Sequence, residues 1–525
     1  MEEAKPLKVT NAQGVMTLIA LCLCTFCNAY LLISPFPYGG FMAMHLVPGL
    51  TSETTGFYAG LLSSSFMIGR ACSSYSWGHF ADKYGRQTAL NLSLFMSFIF
   101  SILFGMSSSF SWAVVSRFFL GKSLNNLDLI AASFLFTIYF LRKGATSCIM
   151  VIVKTYATEL ANGDSKFETK AMGLTVGMRG WGFLVSPGIS GYLSDPIKQY
   201  PNWRFQISLL REYPYLLPNI VGALISLLSF GMAWLYLPET LPSYKRQSLW
   251  SDLTHVRLNS QKIRHQNDAS EEEKLISGSH VNVRNKESYN SVDKRIAISE
   301  QSREELSEQR VKLWARRDTR NALLCYWMWS MVVICLDEMF PLFCLSKEGG
   351  LGWTEATIGQ ILSASGIPFV FAQYCVFTWF MEKVGMYLSL CIMSLLGIPP
   401  TALIPVALLW HTQGTRASTI DFIFLCGLLA ICRVFASSYF AAITLVLNRS
   451  VTPEYRGKLQ GLSMGGASLF KGVGPTFAGL LYSICVSSTY FSPHLGSFLA
   501  FQILALLGLG VCVTTFLVMK PLADT

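Results

Sequence analysis

Apolar runs of roughly twenty residues recur along nearly the whole chain. That is the length a helix needs to cross a bilayer. Inside hydrocarbon every backbone group must find its partner within its own segment, so such runs fold as helices. The chain has 525 residues, 52% hydrophobic and only 14% charged. A soluble protein carries about 25% charged residues, so most of this chain is kept from water. Twelve spans are read. The first six lie near 15–42, 56–80, 89–107, 110–121 with a continuation after an interruption, 166–194 and 214–237. The second six lie near 321–345, 357–380, 387–409, 420–446, 457–485 and 495–519.

A polar stretch separates the two sets, which divides the chain into 1–241, 242–318 and 319–525. Residues 242–318 hold 15 Lys/Arg and 12 Asp/Glu and few large apolar side chains. Such a segment buries too little apolar area to fold alone and reads as largely disordered, with a short amphipathic helix near 302–317. Its basic excess places it in the cytosol, and even parity puts both termini there too. Whether the membrane is vacuolar or plasma is left open. The net charge of +10 lies mostly in loops, so membrane topology explains it better than nucleic acid. Six equivalent spans on each side of a linker match parallel six-helix halves related about the membrane normal.

The cysteines, Cys22, Cys24, Cys27, Cys325, Cys335, Cys426 and Cys432 among them, fall in apolar runs and read as small packing residues. The first apolar run is too long for a cleavable signal's core. Gly121, Lys122 and Ser123 look like the end of a phosphate-binding loop, but Ser116 stands where its first glycine is required. The seven histidines, with His255, His265 and His280 in the central loop, are too dispersed for a local metal site. No enzyme, cofactor or metal is expected. Asn448 opens a glycosylation triplet that faces the cytosol in this topology.

Residues Lys122–Lys143 interrupt the fourth span. Their apolar part, Leu129–Leu141, is too short to cross comfortably, and a crossing would reverse the parity of everything after it. Two readings stand. One is a retained intron, since deletion rejoins Gly121 to Ala145 as one helix and the ends fit splice-site codons. The other is a genuine insertion.

The charged turn between spans 2 and 3 holds Gly78, Asp82, Gly85 and Arg86. A glycine at 78 lets helices approach, and Gly85 supplies a positive-φ turn. Asp82 is expected to cap span 3 or pair with a base, and Arg86 to hold an acid, so the group reads as a gate. Glu382, Lys383 and Gly385 form an eroded copy after span 8. Ionisable residues inside spans are costly and therefore functional candidates. Asp337 and Glu338 are adjacent in span 7, about 100° apart around the helix, so one lines the pathway and titrates while the other packs or pairs. Arg433 in span 10 counters one of them or holds an anionic solute. Arg70, Arg117, Lys154 and Glu159 are read as lying near helix ends.

Several stretches together carry a family resemblance. They are Gly56–Gly60, Ser64–Arg70, Asp82–Arg86 after Trp77 and Gly78, Arg117–Gly121, Tyr156–Glu159, Leu237–Leu241, Asn448 with Arg456 and Gly457, and Phe470–Lys471 with Gly474 and Pro475. On these the chain resembles the major facilitator superfamily, and within it the zinc-induced facilitator-like branch. The resemblance implies an all-α membrane protein of twelve transmembrane helices in two six-helix bundles. It implies a monomeric secondary carrier of a small solute or ion, coupled to protons by alternating access. Members of the branch are linked to zinc homeostasis, chelator export or sequestration, and potassium or auxin-related transport. In that superfamily a Gly/Pro-rich span 5 accompanies antiport. Here it corresponds to Arg179, Gly182, Pro187 and Gly191, with Ser186 and Ser190 where glycines are usual. A transporter-like receptor signalling through the central loop is the alternative.

Overall fold

Two prolines divide the first apolar run. In the computed structural model, which describes residues 11–122, 165–202, 208–239, 317–411, 418–450 and 456–523, helix α1 (Asn11–Ile33) stops before Pro35 and Pro37. A short helix α2 (Gly39–Leu46) follows. Proline has no N–H to donate and clashes with the preceding turn, so the expected 15–42 span is broken where its hydropathy is continuous.

The N-terminal half continues through α3 (Gly56–Tyr84), α4 (Arg86–Gly105), α5 (Phe110–Lys122), α6 (Ser165–Leu193) and α7 (Leu216–Tyr236). The C-terminal half comprises α8 (Arg317–Leu345), α9 (Glu355–Ala364), α10 (Gly366–Val384), α11 (Met386–Leu396), α12 (Thr419–Arg449), α13 (Arg456–Val486) and α14 (Pro493–Ala523). All regular structure among the described residues is helical. Eight segments there are long and apolar enough to cross a membrane. The α9–α10 pair is one span interrupted at Ser365, just before Ile367 and Pro368. Residues 123–164, with most of the Lys122–Lys143 interruption and both Lys154 and Glu159, lie outside the described residues, as does nearly all of the central stretch. By contacts the chain forms two units, Met1–Leu241 with Asn321–Thr525, and Pro242–Arg320.

Within the first unit α3 packs on α13 and α6 on α9, so each half reaches across to the other. Glycines make this approach possible. A Cβ built on Gly56 would lie 2.3 Å from the Gly479 carbonyl oxygen, and one on Gly60 would lie 2.3 Å from that of Pro475. The Ser483 hydroxyl accepts the Gly56 N–H at 3.0 Å, and the Ser64 hydroxyl accepts the Thr476 N–H at 3.1 Å. On the other seam, a Cβ on Gly191 would lie 2.5 Å from the Glu355 carbonyl oxygen, and Ser363 Oγ accepts the Gly188 N–H at 2.7 Å. The Gly56 contacts with Gly479 and Ser483 join the start of α3 to the end of α13, which is the face opposite the α3–α4 turn.

A polar latch reinforces that face. Glu53, just before α3, accepts the N–H groups of Lys347 and Glu348, just after α8, at 3.2 and 3.3 Å. Ser52 donates to the same carboxylate, and its hydroxyl accepts the Lys347 N–H at 3.3 Å. Partial burial alone would raise the Glu53 pKa, but hydrogen bonds from Ser52 and from backbone amides, that of Glu348 included, outweigh it and hold the group below its ordinary value. Lys347, Glu348 and the buried Tyr482 are ionisable groups beside it among the described residues. A lowered carboxylate pKa means the latch is at full strength at neutral pH. It is lost as pH falls through that lowered value. Spin labels at Thr54 and Ser487 should separate on that acid step in the unaltered chain. In Glu53→Gln they should already be apart at neutral pH, with no acid step; an unchanged distance in that variant rules the latch out.

Candidate functional site

Glycine begins the α4 helix. Gly85 has φ 106°, and Gly385 at the equivalent α10–α11 turn has φ 82°. That backbone is strained for any residue with a Cβ. Neither glycine offers a side chain to cap the helix that follows. For α4 the cap comes from Glu239, at the end of the N-terminal half, whose two carboxylate oxygens accept the N–H groups of Arg86 at 2.9 Å and Gln87 at 3.2 Å. The acid that offsets the helix dipole there is thus Glu239, where Asp82 was the sequence candidate. The backbone of Gly78 and Asp82 lies in α3; the side chains of Asp82 and Glu382 lie outside what is described.

Asp337 and Glu338 are neighbours in α8, and Pro341 follows within the same helix. A proline at 341 cannot donate to the carbonyl of residue 337, so the ladder is open beside the acid pair. The 100° step between neighbours sends the two carboxylates into different halves. Glu338 is 5% exposed and turns to the N-terminal half, where it lines a small cavity with Pro35, Pro37, Gly40 and Ala59. Ser63 and Arg117 both act on its charge. Its Oε2 atom has no hydrogen-bond partner among the described residues. Asp337 turns to the C-terminal half and shares a cavity with Trp329, Thr401, Cys432 and Arg433.

Each acid faces a buried arginine that is tied to a broken helix. Arg117, 2% exposed, donates to the Leu31 and Leu32 carbonyl oxygens at 2.8 and 3.3 Å. Leu31 lacks its helical donor because residue 35 is proline. Leu32 lacks its own because Phe36 N–H bonds Ile33 instead. The guanidinium also lies 4.7 Å from the Phe66 ring centroid. Arg433, 8% exposed, donates to the Leu362 carbonyl at 2.6 Å and to the Ser365 hydroxyl, at the α9–α10 break. It stacks 5.1 Å from Phe183 of the opposite half, and its charge interacts with Asp337.

Two more cations act on Asp337. Lys471 of α13 is within electrostatic range of Asp337, Arg70 and Arg179, and Arg179 also acts on Asp337. Arg70 is in the middle of α3, and Arg117 is turned into the protein interior. Neither sits at a helix end, because α3 runs unbroken to Tyr84 and α5 packs along it. Sequence reasoning passed over them because flanking position says nothing about which helix face is covered. The one available signal was a charge many residues from the nearest turn. Of the other span 5 residues, Gly182 packs on Ala29 of α1, while Pro187 and Gly191 pack on α9 of the other half.

This is an all-helical fold of two halves, with ionisable groups buried where they meet. The Major Facilitator Superfamily model matches residues 21–414, three quarters of the sequence, and the chain belongs to that family. It is similar to a probable peptide/nitrate transporter of Arabidopsis thaliana, 28% identical over 464 residues that cover 88% of this chain and 82% of the relative. It is also similar to the Arabidopsis thaliana protein ZINC INDUCED FACILITATOR 1, at 27% identity covering 86% and 80%. Among solved structures it matches a bacterial homolog of the human lysosomal transporter Spinster in an inward-facing, occupied conformation. That match has a TM-score of 0.61 and 12% identity, and covers 97% of this chain and 98% of the other. The chain is a multi-pass membrane transporter of the Major Facilitator Superfamily, similar to zinc-induced facilitator proteins.

Proposed function

We propose that the chain carries a small solute by alternating access and couples that movement to protons held on Asp337 and Glu338. The observation that carries the reading is the acid pair divided between the halves, each member facing a buried arginine. A buried carboxylate oxygen without a partner, as at Glu338, is costly as a charge, and a proton removes that charge. Proton uptake then weakens the pull of Arg117 on α8 and frees one half to turn against the other. The turns at Gly85 and Gly385 lie where such rocking pivots, and Glu239 holds the N-terminal one by the Arg86 N–H. Gly78, Asp82 and Arg86 complete that gate. In the topology that the loop charges favour, the termini and these turns face the cytosol, the sealed face looks outward or into a lumen, and the carrier works as a monomer.

The test uses the full chain in proteoliposomes loaded with a pH-sensitive dye. Pulses of a dicarboxylate, a dipeptide, potassium ions and zinc ions are applied in turn. At least one should drive proton movement. Asp337→Asn or Glu338→Gln should reduce that movement at least tenfold while labelled-solute exchange persists. Proton movement unchanged in both variants refutes the assignment.

A further inference from the structure

We propose that Arg433 and Phe183 bolt the two halves together: their cation–π contact holds the seam of α6 with α9 and α10 shut and parts when the sealed face opens. The proposal deepens the alternating-access reading above and rests on it, but not on proton coupling.

Along that seam α6 meets α9 and α10 by backbone. A Cβ on Gly191 would lie 2.5 Å from the Glu355 carbonyl oxygen, one on Gly359 would lie 2.4 Å from that of Pro187, and one on Gly366 would lie 2.7 Å from the Leu184 Cα. Side chains replace backbone at the next step. The Phe183 ring of α6 meets Phe369 of α10 edge-on at 5.8 Å and lies 5.1 Å from the Arg433 guanidinium of α12. Residue numbers fall along α6 as they rise along α9 and α10, so this ring lies on the membrane-interior side of the glycine contacts.

Arg433 is buried, and its hydrogen bonds stay on its own half. It donates to the Leu362 carbonyl at 2.6 Å and to the Ser365 hydroxyl. Leu362 is in the last turn of α9, where carbonyls lack a helical donor. The arginine is therefore held to the C-terminal half whichever way the halves turn, and Phe183 is the contact that crosses. The other ring-stacked cations among the described residues keep to one half. Arg117 lies over Phe66 and Phe104 in the N-terminal half, and Lys471 over Phe440 in the C-terminal half. Rocking leaves those pairs in place and strips Phe183 from Arg433.

A cation over a ring gains most where water is excluded. Opening the seam lets water reach the guanidinium, whose Nε has no hydrogen-bond partner among the described residues in the sealed state. Hydration then offsets part of what the ring supplied. A contact of this kind favours the sealed state by about fivefold to thirtyfold, which is enough to set the resting state and little enough to break in each cycle.

The test measures the distance between spin labels at Thr54 and Ser487 in the full chain in proteoliposomes. The parent should show a major short population and a minor long one. Phe183→Leu keeps apolar bulk without the ring and should raise the long-to-short ratio about tenfold. Phe183→Tyr keeps the ring and should leave the ratio near the parent's. Phe369→Leu removes only the ring–ring contact and should move it less than Phe183→Leu does. Arg433→Gln should raise the ratio too, and adding Phe183→Leu to it should bring little further change, because both remove the same contact. Shifts from Arg433→Gln and Phe183→Leu that simply add would mark ordinary packing and overturn the bolt. A parental ratio in Phe183→Leu, with a longer distance in Gly479→Val, overturns the bolt and leaves alternating access standing. A single distance that neither Gly479→Val nor any of these variants moves overturns both.

Discussion

Gly479→Val should abolish or nearly abolish transport while leaving the protein in the membrane. The reason is a collision with backbone. A Cβ at Gly479 would sit 1.9 Å from the Gly56 carbonyl oxygen, and backbone cannot rotate away as a side-chain tip can. Overpacking of this kind costs about 1–3 kcal/mol. The collision exists only where the ends of α3 and α13 meet, so the cost falls on the state sealed at that face. A penalty of about 1–3 kcal/mol biases a two-state carrier by roughly fivefold to over a hundredfold toward the opposite opening. Spin labels at Thr54 and Ser487 should report a longer distance in the variant than in the parent. An unchanged distance together with normal flux would show that α3 and α13 part without consequence. Glu53→Gln at the same face removes only the latch, so its effect should be the smaller of the two.

Arg117→Ala should be the most destabilising single change in the N-terminal half. It strips the donors from the Leu31 and Leu32 carbonyl oxygens, which have no helical donors of their own. It also leaves Glu338 without its buried counter-charge. Breaking one partner of a buried charge pair costs about 3–5 kcal/mol. Lysine keeps the charge but cannot reach two carbonyls with a planar fork, so Arg117→Lys should recover part of the loss. Thermal unfolding in detergent measures both. Adding Glu338→Gln to Arg117→Ala should restore some stability, because the stranded charge is gone. Strict additivity of the two changes would show that the pair does not interact.

How much of this was legible beforehand differs residue by residue. The divergence of Asp337 and Glu338 follows from adjacency on any helix. The glycine at 85 announces its turn, since few residues tolerate φ near 100°. The break after Ile33 was also written locally, in Pro35 and Pro37, yet hydropathy runs straight across them and hid it. Glu239 could not be found as the α4 cap, because 153 residues separate it from the amide it accepts. Arg70 and Lys471 gave no sign of each other for the same reason.

The chain's composition and the length of its apolar runs determine by themselves that it crosses a membrane as helices. Hydrocarbon leaves a backbone no other way to satisfy its hydrogen bonds. Local residues likewise settle where helices stop and turn, because proline and glycine act through their own backbone geometry. Which charges share one interior was decided only by the tertiary structure. Coulomb interaction depends on distance through space, and that distance is set by how α3, α6, α8, α12 and α13 pack, which no local spacing records.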